Sequence, residues 1–196
     1  MKPVGVILAG GRARRMGGQD KALIRLGDRP LAMHVADRLR AHVRALGLNA
    51  NGDPARFAGL GLPVLPDLLP GRPGPLAGVL AALDWAADEG AAAAVTAPAD
   101  TPFLPDNLVP RLEAAAGGAA RPALAATPGG LHPLCAIWPV ALRGALSEAL
   151  DRGAAKVRDW AAAQGAEIVM FEDEEAFFNV NTPEDLATAR ARMSGA

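Results

Sequence analysis

The chain has 196 residues and a formal net charge of -1 at pH 7, a length that suits one sizeable hydrophobic core rather than two. Hydrophobic residues make up 51% of it and charged residues 21%, so the composition does not indicate disorder. The 4% of aromatic residues and the near-neutral charge argue against nucleic acid as a partner. A single cysteine excludes an internal disulfide, and without a signal-like segment or a run of about 20 apolar residues we expect a cytoplasmic protein without membrane contact.

The first predicted element is an apolar strand that ends in a glycine-rich, basic loop. Residues 4–9 carry no charge, which is typical of a strand covered on both faces. Gly10 and Gly11 follow, and glycine lets backbone N–H groups approach a ligand without a Cβ in the way. Four positive charges lie within ten residues, at Arg12, Arg14, Arg15 and Lys21. The stretch predicts a phosphate-binding loop, with a solvated basic loop as the alternative.

Two familiar glycine fingerprints do not fit this loop. A Walker A loop has Ser or Thr directly after its lysine, whereas Ala22 follows Lys21. The dinucleotide fingerprint begins a helix immediately after its glycines, and Gly17 with Gly18 disfavours a helix there.

The next segments alternate between helical spacing and short apolar runs. Apolar residues at helical spacing predict a helix over 31–46, whose last part could instead be a strand, and Pro75 can open a helix that runs to Gly90. The apolar runs end in polar side chains at Asn49, Asp67 and Asp100. Open α/β sheets bind ligands beyond the carboxyl ends of their strands, so we expect these side chains to share a site. An asparagine-rich turn at Asn49 is the alternative.

Asp100 is the candidate metal ligand. A carboxylate that follows a buried strand into a cleft needs a partner, and a divalent cation is a common one where phosphates bind. Magnesium often takes one or two carboxylates and completes its coordination with water and substrate phosphates. A turn or helix-capping aspartate before Pro102 is the competing interpretation.

The second half predicts a hairpin, further helices and one more strand. Pro128-Gly129-Gly130 separates two apolar arms over 122–127 and 131–138, as in a β-hairpin. Helices are predicted over 140–150 and 155–164 and a strand over 167–171. Thr182 is a predicted N-cap with Pro183 at the first position of the last helix.

Several blocks resemble the molybdenum cofactor guanylyltransferases, a family of the nucleotidyltransferase superfamily. They are Leu8-Ala9-Gly10-Gly11, Arg15-Met16-Gly17-Gly18, Asp20-Lys21, Asn49-Ala50-Asn51, Pro73-Gly74-Pro75-Leu76-Ala77-Gly78, Asp100-Thr101-Pro102, His132-Pro133 and Asn179-Val180-Asn181-Thr182-Pro183. The resemblance implies an α/β fold of the nucleotide-diphospho-sugar transferase type, a three-layer, Rossmann-like, mostly parallel sheet with helices on both faces. From the length and the order of the elements we expect one domain, with about 1–105 holding the nucleotide and about 106–196 the acceptor.

The family transfers GMP from GTP to the phosphate of molybdenum-bound molybdopterin and releases pyrophosphate. The resemblance implies Mg²⁺ as cofactor, GTP and molybdenum-bound molybdopterin as substrates, and proteins that deliver and collect the cofactor as further partners. It assigns catalysis to Arg15, Lys21 and Asp100, with Asp100 on the metal. It assigns nucleotide binding to Leu8, Ala9, Gly10, Gly11, Lys21, Asn49, Asp67 and Asp100, and an acceptor or second-metal side to His132, Lys156, Asn179 and Asn181.

One departure and three alternatives accompany the resemblance. Where a basic pair is expected, near 153–156, only Lys156 is clearly basic, with Arg158 nearby. A run of residues capping the last helix is an alternative role for Asn179 and Asn181. A cytidylyltransferase or sugar-phosphate nucleotidyltransferase is another interpretation of the chain, as is a relative that binds nucleotide without catalysis. Gly10 and the two asparagines around Ala50 favour guanine, and the set Arg15, Lys21 and Asp100 favours catalysis.

Overall fold

The protein is described by a computed structural model that covers residues 1–10, 20–69 and 74–195. Its strands are β1 (Val4–Leu8), β2 (Arg25–Leu26), β3 (Arg29–Pro30), β4 (Leu46–Asn49), β5 (Val64–Leu65), β6 (Ala93–Pro98), β7 (Ala123–Thr127), β8 (Gly130–Pro139) and β9 (Glu167–Met170). Its α-helices are α1 (Leu31–Arg40), α2 (Pro75–Asp88), α3 (Leu108–Ala115), α4 (Arg143–Asp151), α5 (Val157–Ala163) and α6 (Pro183–Ser194). Short 3-10 helices lie at Lys21–Leu23, Pro54–Leu60, Val140–Leu142 and Glu175–Phe177.

Among the described residues seven strands form one sheet in the order β5-β4-β1-β6-β8-β7-β9, and β2 pairs with β3 in a separate two-stranded sheet. The pairs β1–β4, β1–β6, β4–β5 and β7–β9 are parallel, whereas β8 runs antiparallel to both β6 and β7. The predicted hairpin over 122–138 is therefore confirmed, and so is the mostly parallel sheet.

Alternation along the strands divides the core into two layers. Val4, Val6 and Leu8 of β1 pack on one face of the sheet, in a cluster that includes α2, α4 and α5 residues. Ile7 packs on the opposite face, in a cluster that includes residues of α1 and α3. Both faces of the strand are buried, which is why its sequence shows a continuous apolar run. The predicted three-layer arrangement with helices on both faces is confirmed.

The carboxyl ends of the three central strands lie level with one another. Leu8 pairs with Asn49 on one side and with Pro98 on the other. Because the chain runs outward from β1 to β4 and β5 and then returns to β6 on the other side, the strand order reverses at β1. Such a reversal opens a crevice beyond the strands, where ligands bind in this class of sheet.

One predicted boundary differs from the observed one in an instructive way. The helical spacing over 31–46 ends at Arg40 as a helix, and Leu46 already belongs to β4. Leu46 is buried, and one apolar side chain satisfies either helical or strand spacing, so periodicity alone cannot separate the two elements. Among the described residues no helix has the length and apolar character needed to cross a membrane.

Candidate functional site

A cleft of about 590 Å³ lies beyond the carboxyl ends of the central strands. It is lined by the predicted residues Leu8, Ala9, Gly10, Lys21, Asn49, Asp67, Asp100, Asn179 and Asn181. Residues far apart in sequence thus meet where the strand order reverses. Two other predicted residues, Gly11 and Arg15, lie outside the described part of the chain.

One wall of the cleft is a hydrogen-bonded cluster of two asparagines and an aspartate. The side-chain amide of Asn49 donates to the carbonyl of Leu65 (3.0 Å) and to Oδ1 of Asp67 (2.9 Å). Asn51 donates from Nδ2 to Oδ2 of Asp67 (2.6 Å) and accepts from the Asp67 backbone N–H (2.9 Å). Each carboxylate oxygen of Asp67 therefore accepts one amide hydrogen, and the cluster presents a fixed set of polar groups toward the cleft.

A glycine on α2 makes room for this cluster. A Cβ placed on Gly78 would lie 2.4 Å from Oδ1 of Asn49 and 3.1 Å from Cδ2 of Leu8. Asn49 is only 4% exposed, so its amide has little space to retreat. The close approach of α2 to the end of β4 therefore depends on the absence of a side chain at position 78.

The opposite wall carries an ion pair. Lys21 Nζ lies 2.9 Å from Oδ2 of Asp100, and it also donates to Oδ1 of Asn181. The Lys21 and Asp100 side chains are 20% and 18% exposed, so this pair is shielded from bulk water but still reachable from the cleft. A cation and an anion placed here can exchange partners when a charged ligand enters.

The segment that carries the last two asparagines is held against the strand end. Thr101 donates from its hydroxyl to Oδ1 of Asn179 (2.6 Å), and the backbone N–H of Val180 donates to the carbonyl of Asp100 (2.9 Å). These contacts place Asn181 beside Lys21. Residues 179–181 thus join the site although they come from the far end of the chain.

A capping box fixes where α6 begins, as predicted for Thr182 and Pro183. The Thr182 hydroxyl accepts from the backbone N–H of Asp185 (3.1 Å). In return, Oδ2 of Asp185 accepts from the backbone N–H groups of Asn181 and Thr182, each at 2.9 Å. These N–H groups hold the pKa of the Asp185 carboxyl below its ordinary value. Asn181 therefore serves the helix cap with its backbone and faces Lys21 with its side chain.

Gly74 and Pro75, at the N terminus of α2, also line the cleft. The first N–H groups of a helix lack partners within it, and the helix dipole places partial positive charge at that end. Pro75 is the first residue of α2, which confirms the prediction that it opens a helix. The partial positive charge of the helix end adds to the charge of Lys21 in the same cleft.

The oxygen donors near Asp100 suit a divalent cation. Oδ2 of Asp100 and Oδ1 of Asn181 both accept from Lys21 Nζ, so two oxygens already converge on one cation. The described residues include no cluster of three or more His, Cys, Asp or Glu side chains that would hold a metal without other ligands. Magnesium fits such a sparse donor set, because it keeps water and substrate phosphates as ligands.

His132 lies outside the lining of the cleft. Its ring stacks on Phe177 with a centroid distance of 4.4 Å, and its Nε2 lies 3.0 Å from the hydroxyl of Thr127. Burial lowers the pKa of the His132 imidazole, and the charge of Glu174 opposes that shift. The ring is thus held in a packed cluster, and its acceptor role stays a prediction.

Lys156 lies directly before α5 with a side chain that is 76% exposed, and its Nζ is 4.0 Å from Asp159. The residues just before it, Ala154 and Ala155, line a smaller cavity of about 180 Å³. Gly74 lines both this cavity and the cleft. Lys156 therefore follows the residues that line the smaller cavity next to the α2 N terminus. Its acceptor role also stays a prediction.

Sequence reasoning missed part of the Asp67 cluster and its support. The sequence singles out Asn51, with Asn49, as favouring guanine, but it does not show that Asn51 holds Asp67. Gly78 has no local signal for its role, because its contact with Asn49 arises only when α2 packs on the sheet. Pro98 and Leu134 also line the cleft, and they are apolar residues that no polar pattern would single out.

Known proteins resemble the chain in sequence and in fold. A profile described as the MobA-like NTP transferase domain matches residues 5–168. The molybdenum cofactor guanylyltransferase of Cereibacter sphaeroides is 56% identical over 193 residues, which cover 98% of this chain and 98% of that protein. The crystal structure of molybdopterin-guanine dinucleotide biosynthesis protein A from Archaeoglobus fulgidus has a TM-score of 0.73 at 23% identity and covers 98% of this chain and 100% of that one.

A second solved structure is that of an enzyme named for a different activity. The 2-C-methyl-D-erythritol 4-phosphate cytidylyltransferase of Thermus thermophilus has a TM-score of 0.68 at 19% identity, over 98% of this chain and 99% of that one. At such low identity a solved structure shows the fold alone. Together the two structures confirm the predicted nucleotidyltransferase type of fold.

Proposed function

The chain belongs to the MobA-like NTP transferase family, and on that premise we propose that it transfers GMP from GTP to the phosphate of molybdenum-bound molybdopterin and releases pyrophosphate. The observation that carries the proposal is the 56% identity, along 98% of both chains, to a protein named molybdenum cofactor guanylyltransferase. The cleft supports it, because Lys21, Asn49 and Asp100 line one cavity as a nucleotide site requires.

The proposed reaction needs no protein nucleophile. An oxygen of the acceptor phosphate attacks the α-phosphorus of GTP and forms the new phosphorus–oxygen bond. The bond between that phosphorus and the oxygen bridging to the β-phosphate breaks, and its electron pair leaves with pyrophosphate. Such phosphoryl-type transfers depend mainly on alignment and on neutralising charge.

The residues of the cleft divide this work between two walls. Asn49 and Asp67 present amide and carboxylate oxygens, which can accept hydrogen bonds from the N–H groups of a guanine or the hydroxyls of a ribose. Lys21 and the N terminus of α2 supply positive charge for the triphosphate, and Arg15 is a further phosphate contact by resemblance alone. The walls lie on either side of the β1 carboxyl end, so a nucleotide can span them.

We propose Mg²⁺ as the cofactor, with Asp100 as its ligand and Asn181 beside it. When bound, the ion would neutralise negative charge on the triphosphate. Lys21 would then contact phosphate oxygens in place of the carboxylate that it holds at 2.9 Å. Asp100 therefore has two cationic partners in the proposal, one before nucleotide binding and one after it.

The division of the chain is also a proposal. We assign about 1–105 to nucleotide binding and about 106–196 to the acceptor within one domain of 196 residues. Asn179 and Asn181 bring the second part into the cleft. His132 and Lys156 remain candidates for the acceptor side, and proteins that deliver and collect the cofactor remain proposed partners.

The experiment is a pyrophosphate-release assay with purified protein, Mg²⁺ and molybdenum-bound molybdopterin. We expect release with GTP and little with CTP or ATP, and loss of release after chelation of the metal, with recovery when Mg²⁺ is added back. Equal rates with CTP would favour the cytidylyltransferase alternative. Binding of GTP without release would favour the inactive relative.

Asp100→Ala tests the metal assignment. We expect it to abolish pyrophosphate release while the circular dichroism spectrum and the unfolding midpoint stay close to those of the wild type. Asp106→Ala is the matched control, because Asp106 also pairs with a cation, Arg38, but is exposed and does not line the cleft. Normal activity of Asp100→Ala would show the assignment to be wrong.

A further inference from the structure

We infer that Arg56 is a positioning residue for GTP binding, because it ties Asp20, which directly precedes Lys21, to the asparagine–aspartate wall. The inference rests on the proposed function. Arg56 lies in the 3-10 helix Pro54–Leu60 and lines a second cavity of about 450 Å³ next to the cleft. The two cavities share Ala9, Gly10 and Asn51.

The guanidinium of Arg56 makes three directed hydrogen bonds to residues that the structure describes. Nη1 donates to Oδ2 of Asp20 (2.7 Å), Nη2 to the carbonyl of Asn51 (2.6 Å) and Nε to the carbonyl of Asp53 (3.1 Å). A planar fork of donors can hold three acceptors in fixed directions, which an ammonium group does less well. Arg56 therefore fixes the position of two chain segments relative to each other.

The backbone around Arg56 is shaped for this contact. Gly52 has a φ of +87°, a conformation that residues with a side chain rarely adopt, and a Cβ there would lie 3.1 Å from Nη2 of Arg56. The turn formed by residues 51–53 thus wraps closely around the guanidinium. An exposed ion pair on a surface would not need this fit.

Two of these three partners, Asp20 and Asn51, are next to, or part of, a group in the cleft. Asp20 directly precedes Lys21, whose Nζ binds Asp100 and Asn181. Asn51 holds both the carboxylate and the backbone N–H of Asp67 with its side chain. Arg56 therefore links the lysine on one wall to the carboxylate cluster on the other.

The contribution of the Arg56–Asp20 ion pair to folding stability does not explain the three directed contacts of Arg56. The Arg56 and Asp20 side chains are 40% and 23% exposed, and an ion pair in contact with water contributes little to folding stability. Loss of Arg56 should accordingly leave the fold largely intact. Its effect should show in the affinity for GTP, since both walls would lose a common anchor.

The experiment is calorimetric titration of GTP with Mg²⁺ into the full-length protein, without acceptor. Arg56→Ala should weaken GTP binding by about tenfold, the size of coupling found for groups that share one network, and Arg56→Lys should recover part of that loss. Arg38→Ala is the matched control. Arg38 is also 40% exposed, and its Nη1 lies 2.8 Å from Oδ1 of Asp106, but neither residue lines the cleft. The control should bind GTP as the wild type does.

A double-mutant cycle separates positioning from general destabilisation. If Arg56 acts through Asp20, the double variant Asp20→Asn/Arg56→Ala should lose less GTP affinity than the two single fold-losses multiplied together. For the control pair Asp20→Asn and Arg38→Ala the fold-losses should multiply, which means that the binding free energies are additive. Unchanged GTP affinity in Arg56→Ala, or additive effects with Asp20→Asn, would overturn the inference alone. A wild-type protein that does not bind GTP would contradict the proposed function, and with it this inference.

Discussion

Gly78→Ala is the most direct test of how the asparagine–aspartate wall of the cleft is built. A methyl group at position 78 would lie 2.4 Å from Oδ1 of Asn49, and real Cβ contacts essentially never fall below 3.0 Å, so the two must separate by at least about 0.6 Å. The Asn49 amide is bound to Leu65 at 3.0 Å and to Asp67 at 2.9 Å. A displacement of this size weakens or breaks both bonds.

The expected loss of stability follows from two opposing effects. Asn49 is 4% exposed, so water cannot readily replace a lost partner, and an unsatisfied buried polar group costs about 1–3 kcal/mol. Alanine in place of glycine within a helix contributes about 1 kcal/mol in the other direction. We expect Gly78→Ala to lower the free energy of unfolding by roughly 0–2 kcal/mol.

Gly144→Ala is the matched control, since Gly144 lies in α4 and a Cβ there would meet no atom within 4 Å. It should stabilise the protein by up to about 1 kcal/mol, so urea denaturation should separate the two variants by roughly 1–3 kcal/mol. Gly78→Ala should also bind GTP more weakly than Gly144→Ala in calorimetric titration. Equal stability and equal GTP affinity of the two variants would refute the proposed dependence of Asn49 on Gly78.

Two further predictions concern ionisable groups. N–H donors of the α6 cap hold the pKa of the Asp185 carboxyl below its ordinary value. The ionised carboxylate therefore contributes to folding stability above a pH of about 4, and this contribution is lost as pH falls through the lowered pKa. The Asp185→Asn variant should be less stable than the wild type at pH 7, and urea denaturation at decreasing pH should show the difference vanish; a difference that grows with acidification would contradict the assignment. Burial raises the pKa of the Cys135 thiol, and the charge of Asp100 adds to the shift. Because the residue is also only 2% exposed, a thiol reagent should label Cys135 only in denaturant. Rapid labelling of the native protein would be inconsistent with this packing.

The candidate site could be predicted in part because its residues follow recognisable strands. Asn49, Asp67 and Asp100 each come after an apolar run, and parallel strands carry such residues to one edge of the sheet. The resemblance added Asn179 and Asn181, which also line the cleft. It also assigned His132 and Lys156 to the acceptor side, and the structure places both outside the cleft lining.

The sequence by itself determined the local elements of this protein. Uncharged runs, helical spacing, the Pro128-Gly129-Gly130 turn and the Thr182 cap act within a few residues, so they identified the strands, the hairpin and the start of α6. The sequence also predicted that β1 is buried on both faces, because a strand without polar residues is stable only when both of its faces pack against other parts of the protein.

Only the tertiary structure decided which side chains support the site. The contact between Lys21 and Asn181 joins residues 160 positions apart, and the Arg56 bond to Asp20 spans 36. The closeness of Gly78 to Asn49 likewise arises from the packing of α2 on the sheet. Such contacts depend on how helices and strands pack, which local sequence patterns do not encode.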